Sequence, residues 1–109
     1  MEHKHFQKRL QRCVKRADLT RSDLADWFAR PYSTIREWLT RPGVEPSVDG
    51  PLGREAYRLL ELLERTVERD NRFPIPAGLG QRYRRRYVRG IVDDYVRRNG
   101  GVPQPRSAA

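Results

Sequence analysis

Apolar residues recur at helical spacing in five stretches of the chain, and clusters of proline, glycine and small polar residues separate them. That pattern predicts an all-α fold of about five helices. From His3 to Ala17 the apolar positions are Phe6, Leu10, Cys13, Val14 and Ala17, while Lys4, Lys8, Arg9, Arg12, Lys15 and Arg16 form a basic outer face. Thr20 with Asp23 three residues on is a capping box, so a second helix should start at Arg21 and bury Leu24, Ala25, Trp27 and Phe28. Ala29-Arg30-Pro31 breaks it, because proline biases the preceding residue away from the helical region, and Pro31 suits the first turn of a third helix. In that helix Ile35, Trp38 and Leu39 face inward, leaving Tyr32, Ser33, Arg36 and Glu37 to look outward.

The segment from Thr40 to Gly53 is dense in turn formers and longer than the usual interhelical connection. From Arg54 to Asp70, Ala56, Leu59, Leu60, Leu63 and Val67 make a clean helical stripe opposite mixed charges. Leu62 and Tyr57 flank it, and the face serves either to close the monomer core or to meet a second copy. Residues 71–80 keep Phe73, Ile75 and Leu79 among two prolines and two glycines, so this loop should pack down. A last helix over 81–99 places Tyr83, Tyr87, Val88, Ile91 and Tyr95 inside and seven arginines outside. Residues 100–109 read as a disordered tail.

At Thr20 to Leu39 the chain resembles the helix-turn-helix of phage-repressor (Cro/cI-like) proteins. The matching slots hold Leu24-Ala25, Ala29 at the corner, Tyr32-Ser33-Thr34, then Ile35 and Trp38 three later. The family corner is usually Gly followed by an apolar residue, where Ala29-Arg30 stands here. The resemblance implies that the third helix enters the major groove of double-stranded DNA, with Tyr32, Ser33, Arg36 and Glu37 toward base edges. It also implies backbone contacts from Arg21, Arg30, Thr34 and Arg41, and a homodimer or higher homo-oligomer reading repeated half-sites. Residues 1–70 would form the DNA-binding domain, and 71–99 a basic appendage that packs on it or mediates oligomerisation.

Composition sharpens the partner. The chain carries 23 Lys and Arg against 14 Asp and Glu, a net charge of +9, and arginine far outnumbers lysine. Such an excess favours a polyanion, and guanidinium groups favour bidentate phosphate and guanine contacts, although codon bias in a GC-rich genome yields the same excess. The dense run around Arg84 and Arg85 is a second candidate phosphate surface, beside a plain solvated face. One cysteine excludes an internal disulfide and fits a reducing cytoplasm, and no apolar run reaches membrane-span length.

No catalytic constellation or phosphate loop stands out, and the adjacent Asp93-Asp94 face different sides of a helix, so the expectation is a non-enzyme without cofactor. His3, His5 and Cys13 lack metal-ligand spacing. The helix-turn-helix resemblance implies a small DNA-binding transcriptional regulator. Two alternatives stand beside it: a phage small terminase subunit, which is similar in outline, with the same N-terminal helix-turn-helix and a last helix that would build a ring, and a basic module for RNA or acidic protein.

Overall fold

The computed structural model describes residues 5–47, 49–69, 73–76 and 78–99. Five helices make up the all-α fold: α1 (Phe6–Ala17), α2 (Arg21–Phe28), α3 (Tyr32–Thr40), α4 (Pro51–Arg69) and α5 (Gln81–Asn99). There is no strand among the described residues. α1 packs on α3 and α4, while α2 packs on α3, α4 and α5.

Local chemistry sets these boundaries. Thr20 Oγ1 accepts from the Asp23 amide at 3.0 Å and Asp23 Oδ2 accepts from the Thr20 amide at 2.8 Å, so both halves of the capping box form. α1 ends with Asp18 in the left-handed region at φ 54°, a conformation that aspartate tolerates, and α2 ends the same way at Ala29, φ 55°. Pro31 stands at the N-cap of α3 with φ −60° and ψ 149°, one position before the first turn, and its carbonyl accepts from the Thr34 and Ile35 amides.

α4 begins at Pro51, three residues earlier than the stripe of leucines suggests. Proline preorganises a helical start, and the Gly50 carbonyl accepts from the Arg54 amide at 3.0 Å. Gly53 then lies inside the first turn, buried against the preceding loop. A Cβ there would stand 1.4 Å from the Ser47 carbonyl oxygen. The loop is therefore shorter than Thr40 to Gly53 and is pressed onto α4 at a residue where no side chain fits.

An aromatic knot joins four helices. The Phe6 ring from α1 meets Trp38 of α3 at 5.2 Å, Tyr57 of α4 at 4.9 Å and Phe28 of α2 at 6.2 Å, and Phe28 meets Trp38 edge-on at 5.4 Å. These offset and edge geometries are the favoured ones for ring quadrupoles. Leu10, Leu24, Ile35, Leu60 and Leu63 complete the buried centre. Tyr57 thus belongs to the monomer core, with Leu62 half-buried against it.

The C-terminal segment is part of the same packing. Phe73 and Ile75 are buried, Phe73 lies 6.1 Å from the Trp27 ring, and Val88, Ile91 and Val92 of α5 close over the core. Tyr83 corrects the sequence expectation. At 57 % exposure it lies outside the core, because it sits in the first turn of α5, ahead of the buried row that starts at Val88. The tail over 100–109 lies outside the described residues.

Candidate nucleic-acid interface

α3 presents the residues singled out in the sequence as one surface. Tyr32, Ser33, Arg36 and Glu37 are all exposed, Tyr32 at 49 %, while Ile35 and Trp38 on the opposite side are buried. Trp38 and Ile35 fix the rotation of the helix, so the exposed quartet follows from the burial of the other face.

Both ends of α3 differ in how their backbone groups are satisfied. At the C-terminus, Gln7 Nε2 donates to the Trp38 and Arg41 carbonyls at 2.8 Å each, and Gln11 Nε2 donates to the Leu39 carbonyl at 2.7 Å. Thr40 Oγ1 donates to the Arg36 carbonyl at 2.7 Å. The glutamine bonds supply partners for the Trp38 and Leu39 carbonyls, which the helix end leaves free. At the N-terminus no side chain caps α3, and the Pro31 carbonyl accepts from the Thr34 and Ile35 amides. Gln7 and Gln11 are positioning residues that sequence reasoning missed. The available signal was two glutamines one turn apart on a helix whose other polar positions are almost all cationic.

Electrostatics separate the arginines. Arg41 is exposed and lies 3.2 Å from Glu37, a pair one helical turn apart at 66 % and 49 % side-chain exposure. Such exposed pairs contribute only a few tenths of a kcal/mol, so either member is free to exchange partners. Arg21 is exposed at the start of α2, and Arg36 is exposed on the outward face of α3. Arg85 is 72 % exposed on α5, 3.6 Å from Asp26. Burial pushes the Asp26 carboxyl up, and the neighbouring Arg85 opposes that shift.

Three sequence candidates have other surroundings. Arg84 is bound to Asp23 through two hydrogen bonds, Nε at 3.1 Å and Nη2 at 2.5 Å, with Asp23 1 % and Arg84 18 % exposed. The bond to Asp23 raises the Arg84 pKa. Its guanidinium is committed to the core side of α5, which corrects its assignment to a phosphate. Arg30 is half-buried and donates from Nη2 to the Leu52 carbonyl at 3.0 Å, reaching across to the start of α4. Thr34 is half-buried and lines the same groove as Arg30.

Burial raises the Cys13 thiol to about 12, so it is a core group with little thiolate character. Among the described residues no cluster of three His, Cys, Asp or Glu is placed to hold a metal ion. No helix of the described residues is long and apolar enough to cross a membrane. Comparison with protein-family models, curated proteins and solved structures finds no match for this chain.

Proposed function

We propose that this protein binds double-stranded DNA sequence-specifically through α3 and acts as a small transcriptional regulator. The observation that carries the reading is the single outward face of Tyr32, Ser33, Arg36 and Glu37 on a helix locked by buried Ile35 and Trp38. In a major groove, Arg36 suits guanine and Glu37 suits the cytosine amino group, each good contact being worth about 1–3 kcal/mol of discrimination. Arg21, Arg41 and Arg85, with the uncapped first turn of α3, supply phosphate contacts that add salt-sensitive affinity. One short helix reads few base pairs, so the reading includes a homodimer or higher homo-oligomer on repeated half-sites.

The packing of α5 favours this reading over a ring-forming packaging subunit. A ring built on α5 would draw on its apolar face, yet Val88, Ile91 and Val92 are already buried within the protomer.

Selection of bound duplexes from a pooled oligonucleotide library, at fixed salt, tests the reading with Tyr32→Ala, Glu37→Ala and Arg85→Ala alongside the parent. A short two-fold motif is expected, relaxed by the first two changes, with affinity lowered evenly by the third. Absence of any motif, or indifference to Tyr32 and Glu37, would overturn it.

A further inference from the structure

Beside α3, on the edge away from its outward face, Pro46, Ser47 and Gly50 of the loop and the start of α4 border an open groove of about 570 Å³. Its walls are largely apolar: Pro31 and Trp38 on one side, Pro46 and Leu52 on the other, with Leu52 54 % exposed. The volume falls within the range of small-molecule sites. Among the described residues Arg30 is the one charged side chain lining it, and Thr34 and Ser47 add hydroxyls. Arg30 uses one nitrogen on the neutral Leu52 carbonyl, and no carboxylate among the described residues pairs with it.

We propose that this groove binds a small amphipathic carboxylate, with its apolar body against Trp38, Pro46 and Leu52 and its carboxylate on the Arg30 guanidinium. Charge complementarity selects the head group: a half-buried guanidinium with unused donors is matched by a planar anion. The apolar walls select the body. A DNA phosphodiester fits poorly, because it would place a hydrated anion against proline and leucine with a single cation to meet it. A second copy of the chain needs roughly 800 Å² per partner for a stable interface, well beyond the mouth of one such groove. The proposal does not rest on the DNA reading.

The test is titration of the full isotope-labelled chain, followed by amide and Trp38 indole chemical shifts, with phenylacetate and with phenylacetamide as its neutral match. Saturable shifts confined to residues around Arg30, Thr34, Trp38 and Leu52 are expected, with the acid at least tenfold tighter than the amide. Arg30→Met should abolish that preference, Arg41→Met should leave it intact, and Leu52→Ser should weaken acid and amide together. Equal binding of acid and amide overturns the proposal, as does the absence of groove shifts at millimolar ligand. Groove shifts that follow protein concentration, or that short duplex DNA produces in place of the acid, assign the groove to a second copy or to phosphate and overturn it equally. If Arg30→Met fails to fold, the acid-to-amide ratio in the parent and in Leu52→Ser decides alone.

Discussion

Asp23 and Arg84 stand 61 residues apart in sequence and form a two-point ion pair in which the carboxylate is 1 % exposed. The same carboxylate caps the start of α2 by accepting from the Thr20 amide. One side chain therefore closes the first turn of α2 and anchors α5 to it. Arg89 strengthens the junction by donating to the Asp26 carbonyl at 2.9 Å.

Removing one partner leaves the other underpaired in a largely buried site. Arg84→Met should destabilise by about 3 kcal/mol, since breaking a buried pair costs far more than never having made it. Asp23→Ala should cost about as much and lose the cap as well, worth about 1 kcal/mol. The double variant should lose clearly less than the sum of the two. Denaturant midpoints of the four proteins measure this, and simple additivity would show that the two groups do not depend on each other.

Ala29 carries a backbone that glycine adopts more readily. Its φ of 55° costs an L-residue roughly 1–2 kcal/mol, and glycine's extra unfolded-state entropy takes back part of the gain. Ala29→Gly should stabilise by roughly 0.5–1 kcal/mol, and Ala29→Val should destabilise, because a β-branched side chain fits this region worst. Thermal unfolding of both variants is the measurement. A fall in stability for the glycine variant would mean that the corner is not held in this conformation.

These two sites mark what the sequence makes legible. The Thr20 and Asp23 spacing reveals a capping box and the start of α2, because that motif is local. The same spacing is silent on Arg84, whose role depends on a contact made only after α5 folds back. The outward quartet on α3 is legible because helical period alone separates it from Ile35 and Trp38. Arg30 and Arg84 look like surface cations in a sequence because arginine marks charge but not direction, and only packing shows that one turns into a groove and the other onto a carboxylate. The start of α4 is hidden for a different reason: Pro51 and Gly53 read as loop formers, yet one opens the helix and the other makes room for the Ser47 carbonyl.

Gly53 follows directly. With a Cβ position 1.4 Å from the Ser47 carbonyl oxygen, Gly53→Ala cannot be accommodated without moving backbone. Overpacking of this kind costs roughly 1–3 kcal/mol. The expected outcome is a loss in that range, with shifts in the amide spectrum concentrated in the 41–50 loop and the first turn of α4. An unperturbed loop would contradict the close approach.

Gln7 and Gln11 make three side-chain bonds to carbonyls at and just beyond the C-terminus of α3. Gln11 is exposed and Gln7 half-buried, so water replaces part of what alanine removes. Gln7→Ala with Gln11→Ala should cost about 1 kcal/mol. Amide hydrogen exchange should quicken in α3 about fivefold more than in the middle of α4, since the lost bonds act on one helix end. Equal changes in both helices would assign the glutamines a general rather than a local role.

Cys13 gives the fold an alkaline limit. Burial holds its thiol at about 12, above the value of about 8.5 for an exposed thiol. The unfolded chain therefore releases this proton at lower pH than the folded chain does. The sign follows from linkage: the contribution is constant below about 8.5 and is progressively lost as pH rises toward about 12. Tyr57, raised to about 12 mainly by burial, adds a loss of the same sign over the upper part of that window. Stability measured by denaturant should thus decline from pH 8.5 upward, and Cys13→Ala should flatten the early part of the decline while Tyr57→Phe flattens the later part. A thiol reagent at pH 8 should label the native protein only as fast as it unfolds. Rapid labelling of the folded chain, or an unchanged alkaline slope in Cys13→Ala, would place the thiol at the surface and not in the buried core.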